Sequence, residues 1–176
     1  MTKAEHKPFE IFRASDARDY GEHGIMDIVV DSPAIAEGLT HFHKEGGDHG
    51  QEVKMAYSRP GFSLTRVWFK SGYPLPLHSH TSDCLYYIVA GSVSVGTETL
   101  GPGDGFFVAG DVPYTYETGP EGAEVLEFRN TDEFNIRFMA KNKKAWDKAA
   151  QRIKERREAW GTEPPPSQLA KTAPAE

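Results

Sequence analysis

Gly72-Tyr73-Pro74-Leu75-Pro76-Leu77-His78-Ser79-His80-Thr81-Ser82-Asp83-Cys84-Leu85-Tyr86-Tyr87-Ile88-Val89-Ala90-Gly91 is the stretch whose reading decides the fold. Two histidines separated by one residue share a face if the segment is extended, because side chains alternate across a strand with a period of two. His78 and His80 can therefore converge on one ion. The apolar run Leu85 to Ala90, closed by Gly91, reads as a second strand returning beside the first, with Thr81-Ser82-Asp83 as the turn. Past that turn the alternation puts Cys84, Tyr86 and Ile88 on one face and Leu85, Tyr87 and Val89 on the other.

Working outward, short strand-like runs follow one another from Glu52: Val53 to Ser58, Phe62 to Lys70, Pro76 to His80, Leu85 to Ala90, Val93 to Thr97, Gly105 to Val108, Tyr114 to Glu117, Val125 to Arg129 and Phe134 to Met139. Arg59-Pro60-Gly61, Thr99 to Gly103 and Thr118 to Gly122 are turn clusters, where Pro presets φ and Gly tolerates positive φ. This spacing is that of an all-β sandwich or barrel. Toward the N-terminus, Phe9 to Phe12 and Ile25 to Val30 read as short extended pieces. Ser32-Pro33 is a helix-start signal, and Ile35, Leu39 and Phe42 at helical spacing predict a helix over 33–44. His41, His43 and His49 form a histidine-rich tract, but residues two apart on a helix face different ways, which favours a solvated helix end over a metal site.

Lys141 to Trp160 is helical by pattern, with Trp146, Ala149, Ala150, Ile153 and Trp160 near one stripe and Lys and Arg elsewhere. Gly161 ends it. Thr162 to Glu176, with Pro164-Pro165-Pro166 and small polar residues, reads as a dispensable disordered tail. The expected organisation is an N-terminal extension over 1–52, a barrel over 53–140, a C-terminal helix over 141–161 and a tail over 162–176.

A chain of 176 residues suits one domain. The formal net charge is −6, and the basic residues gather in Lys141 to Trp160 on an otherwise acidic chain, which does not suit a nucleic-acid binder. The single cysteine excludes an intramolecular disulfide. With no basic n-region leading into an apolar h-region and no apolar stretch of membrane-spanning length, a soluble cytoplasmic protein without a membrane partner is expected.

The quoted stretch resembles the first motif of the cupin superfamily, which orders a glycine, a His-x-His pair, a glutamate and a second glycine. Gly72, His78, His80 and Gly91 stand at those places, and Cys84 stands at the glutamate's. Gly103 to Tyr114 resembles the second motif in degraded form, with Ala109 in place of its proline, Asp111 of a glycine, Tyr114 of its histidine and Thr118 of its asparagine. The resemblance spans roughly Val53 to Phe138. It implies a cupin-type β-sandwich, or jelly-roll barrel, and a homodimer.

The resemblance also makes His78 and His80 metal ligands, and imidazoles suit a divalent transition metal, with iron, zinc, manganese and nickel not distinguished. If Cys84 holds the glutamate position, its face is inward and Tyr86 joins the pocket. Cys84 is then either a thiolate ligand or a small buried apolar group. Tyr114 is either a phenol offered to metal or substrate, or a core tyrosine. Cys84, Tyr86 and Tyr114 are the candidate catalytic groups, as base or ligand. Arg66 and Trp68 are candidates for binding substrate, Arg66 through a carboxylate and Trp68 as an aromatic wall; an ion pair with an acid is the alternative for Arg66. Glu127 can replace the missing carboxylate, on a face that alternation alone does not fix. The function expected is a metal-dependent enzyme acting on a small organic molecule, foremost in an oxygenase-type reaction. A lyase or isomerase, or a non-catalytic ligand-binding cupin, is the alternative.

Overall fold

A computed structural model describes residues 8–24 and 26–172. The N-terminal extension contains β1 (Arg18–Asp19), the single turn α1 (Tyr20–His23), β2 (Met26–Val29) and α2 (Pro33–Lys44). Ser32 caps α2 by accepting the Ile35 N–H, and Pro33 fills the first helical position, where a missing N–H costs nothing. Phe9 to Phe12 forms no strand, and Ile25 of the expected strand lies outside the described residues.

The body is made of β3 (Gln51–Arg59), β4 (Phe62–Phe69), β5 (His78–Ser79), β6 (Cys84–Val95), β7 (Glu98–Leu100), β8 (Gly105–Val108), β9 (Glu117–Arg129) and β10 (Phe134–Phe138). One sheet runs β1-β3-β4-β9-β6-β7 with β8 also on β6, and a second runs β2-β10-β5. All pairings are antiparallel except β2 with β10. The expected hairpin across Thr81-Ser82-Asp83 does not form. Both edges of β6 are taken by β8 and β9, so the chain leaving β5 crosses to the other sheet while β5 pairs with β10.

Two expected breaks are also absent. Gly91 and the cluster Thr118 to Gly122 lie inside long strands, not at their ends. Gly91 (φ 73°) and Gly122 (φ 76°) face each other, and a Cβ on Gly91 would sit 2.2 Å from the Gly122 carbonyl oxygen. The register of β6 on β9 shifts beside Gly91, so these glycines serve a bulge in a continuous ladder.

Inward residues form rungs across the large sheet. Met55, Thr65, Glu127, Tyr86 and Phe106 make one, Ser63, Arg129, Cys84 and Val108 the next, and Val53, Val67, Val125 and Ile88 a third. Tyr86, Ile88 and Val125 are fully buried. One end is covered by α3 (Lys143–Trp160), which buries Trp146, Ala150, Ile153 and Trp160 together with Ile35 and Phe42 of α2. A Cβ on Gly38 would meet the Trp146 indole at 2.2 Å, so glycine is what lets the two helices approach. Among the described residues no helix is long and apolar enough to cross a membrane.

The C-terminal segment departs from its composition. Pro166–Thr172 is a helix, α4, packed against β6 and β9, and Pro166 is buried. Glu163 accepts hydrogen bonds from the Ser71 N–H (2.7 Å) and hydroxyl (2.6 Å), and the Ser167 N–H donates to Glu124 (2.8 Å). The carboxylate satisfies backbone that the loop after β4 leaves without a ladder partner. Replacing Glu163 with Ala should therefore cost about 1–3 kcal/mol, which in a chain of this size lowers the thermal midpoint by several degrees. Truncation after Gly161 should cost at least as much, and an unchanged midpoint in both variants would contradict the docking.

Candidate functional site

The site is built where β5 meets the loop before β9. His78 exchanges both backbone hydrogen bonds with Tyr114 (His78 N–H to Tyr114 O 3.1 Å, Tyr114 N–H to His78 O 2.9 Å), and it lies across from Phe138 on β10. The His80 carbonyl accepts the Asp111 N–H at 2.7 Å, where Asp111 takes a left-handed φ of 62°. Backbone pairing thus fixes both histidines before their side chains make any contact.

Each imidazole is then oriented by a carbonyl. His78 Nδ1 lies 2.7 Å from the Pro76 oxygen, and His80 Nδ1 lies 2.6 Å from the Asn135 oxygen. A carbonyl only accepts, so both Nδ1 atoms carry the proton and both Nε2 atoms carry a free lone pair. The rings are 5.0 Å apart and nearly perpendicular. Burial, and for His78 the neighbouring His80, pushes its pKa down to about 4. His80 is pushed to about 4 by burial and then by the Arg129 charge. Both are neutral at ordinary pH.

Tyr114 packs on this pair, its ring 4.4 Å from that of His78 and 6.1 Å from that of His80. Its hydroxyl is hydrogen-bonded to that of Tyr86, which projects inward from β6 and stacks on Phe106 at 4.5 Å. Burial, with the Glu127 charge added, holds both phenols well above the ordinary value near 10. They therefore stay protonated at neutral pH and are not the bases that the sequence reading offers. Opposite Tyr86 in the ladder, Glu127 pairs with Arg129 at 2.7 Å, and the guanidinium lies 4.2 Å from the Phe134 ring centre.

His78, His80, Tyr86 and Tyr114 are thus brought together. Cys84 faces inward too, but no third His, Cys, Asp or Glu among the described residues joins the histidines in a group able to hold a metal ion. Burial, then the Glu127 charge, pushes the Cys84 thiol up to about 12, so it stays protonated. Cys84 stands in the next rung along from Tyr86, with Arg129 and Val108, and packs there as a small apolar group. Tyr114, protonated, does not replace it as an anionic ligand.

Arg66 and Trp68 are not in the site. Val67 and Phe69 turn inward on β4, which puts Arg66 and Trp68 on the outer face, where Arg66 pairs with Glu124 at 2.9 Å. Lys70 lies 5.0 Å from the Trp68 ring centre. His43 pairs with Asp48 at 2.8 Å and His41 with Glu45 at 3.6 Å, in line with a solvated helix end. Arg129, buried and central, is the residue that sequence reasoning missed; its signal is an arginine at the inward alternate position after Val125 and Glu127.

The donor set therefore fits two nitrogens of a transition-metal site, with locked, neutral rings of the kind such ligands use. Among the described residues it has no anionic ligand beside them.

No protein-family model matches the chain, and no curated protein is similar to it at a significant level. Solved structures do match. The polyketide cyclase RemF from Streptomyces resistomycificus superposes with a TM-score of 0.50 at 19% identity, over 60% of this chain and 82% of its own. An RmlC-like cupin from Shewanella frigidimarina gives 0.43 at 23% identity, over 47% of this chain and 78% of its own. KdgF from Halomonas sp. gives 0.40 at 23% identity, over 46% and 79%. The chain has the cupin fold, a jelly-roll β-sandwich closing into a barrel.

The two depressed imidazoles set a pH dependence. Folded they stay neutral down to about pH 4, whereas unfolded they titrate near 6.5. Between those values the unfolded chain binds more protons, so stability falls as pH drops through the window and levels off below it. The metal-free protein should melt several degrees lower at about pH 4.5 than at about pH 7. The double variant His78→Gln/His80→Gln should lose much of that slope, and equal slopes in parent and variant would contradict the neutral pair.

Proposed function

We propose that this chain is a metal-binding cupin enzyme that moves a proton on a small organic molecule, in a lyase- or isomerase-type reaction inside the barrel. The observation that carries the reading is the pair of free Nε2 lone pairs beside two hydrogen-bonded phenols. His78 and His80 would hold a divalent transition metal through Nε2. Bound there, such an ion supplies Lewis acidity toward a substrate oxygen.

The remaining chemistry belongs to the chain's own residues. In the Tyr86–Tyr114 pair one hydroxyl donates to the other, so the accepting phenol keeps an O–H proton to place on substrate. The donating hydroxyl then stabilises the phenolate left behind. Glu127, tied to Arg129 and directly across from Tyr86, is the carboxylate placed to take a proton from that side. Phe106, Tyr116 and Phe138 surround the phenols and histidines with apolar surface and exclude water.

The observation favouring an oxygenase-type reaction instead is the count of two protein ligands, which leaves most coordination positions open. A homodimer belongs to the same proposal, supported by Leu85, Tyr87, Val89 and Phe107 exposed on the outer face of one sheet.

Titration of chelator-treated protein with Co2+ tests the metal reading. One equivalent per chain should bind with a change in the visible spectrum. His78→Ala/His80→Ala should abolish that binding, and Tyr86→Phe/Tyr114→Phe should retain it. Stoichiometric binding by the histidine variant would overturn the proposal.

A further inference from the structure

A cleft of about 420 Å³ opens between α3 and the loop over 72–77. Its cause is local. The helix commits Trp146, Ala150, Ile153 and Trp160 to the core, so the adjoining stripe of Ala145, Ala149 and Arg152 faces the loop. The loop contains Pro74 and Pro76, which lack the N–H needed to ladder against a neighbour. Alanine side chains are too short to fill the gap that remains. Leu75, Leu77 and Met139 give it an apolar wall.

Lys148 and Arg152 line the cleft as well, and Arg156 approaches its edge at Gly72. Lys148, Arg152 and Arg156 are four residues apart and fall on one face of the helix. Of the other cations of this helix, Lys143 pairs with Asp147, and Lys154 and Arg157 pair with Glu45, whereas Lys144 forms no ion pair among the described residues. Among the described residues no acid lies within ion-pair distance of Lys148, Arg152 or Arg156. Glu117 on the facing wall forms no ion pair with them either.

The two arginines also approach the same point. A Cβ built on Gly72 would lie 3.3 Å from Arg156 Nε and 3.7 Å from Arg152 Nη1, so both guanidiniums border the same small space. Two like charges bordering one space repel, and an anion between them offsets that repulsion and gains charge-assisted hydrogen bonds. The chain as a whole is acidic, with a formal net charge of −6, so this attraction is specific to the helix face.

We propose that the cleft binds a small amphipathic carboxylate, with its apolar body against Leu75, Leu77, Met139 and Ala149 and its carboxylate between Arg152 and Arg156. The volume is in the range of sites that enclose small organic ligands, about 300–1,000 Å³. Neither histidine lines this cleft, although Pro76 and Tyr116 border both, and binding here does not depend on the proposed reaction.

Decanoate and 1-decanol share an apolar chain and differ in charge, which makes them the probes for isothermal titration of the full chain. Decanoate should bind at least about tenfold more tightly than 1-decanol. The double variant Arg152→Gln/Arg156→Gln should remove that preference and leave decanol binding unchanged. Ala149→Trp should fill the cleft and abolish binding of both, while His78→Ala/His80→Ala should leave decanoate binding as it is. Equal affinity for the two probes, absence of saturable binding, or a charge preference that survives the arginine variant overturns the proposal. Neither arginine is paired or fully buried, so that variant should keep the parent's thermal midpoint, and it carries the test alone if Ala149→Trp melts early.

Discussion

The pairing of Cys84–Val95 with Glu117–Arg129 is the constraint on which the barrel depends. Its register sets Tyr86 against Glu127 and Cys84 against Arg129, and from there the inward rungs extend through β4 and β8. A slip of one residue would turn every one of these side chains outward and bring Leu85, Tyr87 and Val89 into the core. Such a slip is opposed twice. Tyr86, Ile88 and Val125 would lose their burial, and the facing glycines at 91 and 122 would no longer meet. The ladder also decides that Glu127 and Arg129 share a face, and pairing is what makes burial of both charges tolerable.

The small sheet and the helices complete what the ladder begins. His78 and His80 are held by Tyr114, Phe138 and Asp111 through backbone contacts, so their rings can be aimed by carbonyls and not by one another. At the other end, Trp160 donates its indole N–H to the Ser71 carbonyl while Tyr73 stacks on Phe69 at 4.7 Å. The loop leading into the histidines is therefore clamped between a strand and the C-terminal helix. Rigid support of this kind holds the two ring nitrogens in place.

What the sequence revealed of this arrangement follows from what is local in it. Alternation is a local property, and it identified the shared face of Cys84 and Tyr86 and the adjacency of His78 and His80. Ser32 and Pro33 marked the start of α2 because a cap needs only its own helix. The partner of β5 was not legible, since a turn signal such as Thr81-Ser82-Asp83 says where the chain bends and not which strand it joins. Nor was the outward position of Arg66 and Trp68, because alternation yields two faces without saying which is buried. Glu163 meets Ser71 from 92 residues away in sequence, and nothing in a proline-rich tail announces such a contact.

His78 and His80 are both neutral Nδ1–H tautomers with free Nε2 lone pairs, their rings 5.0 Å apart. Long-range 1H–15N correlation spectra of the imidazole nitrogens in metal-free protein at neutral pH test this state most directly. The account predicts two imidazoles with protonated Nδ1 and unprotonated Nε2, with both Nε2 resonances shifting together when Zn2+ is added. Protonated Nε2 in either residue, a charged imidazolium, or a zinc response confined to one ring would contradict it.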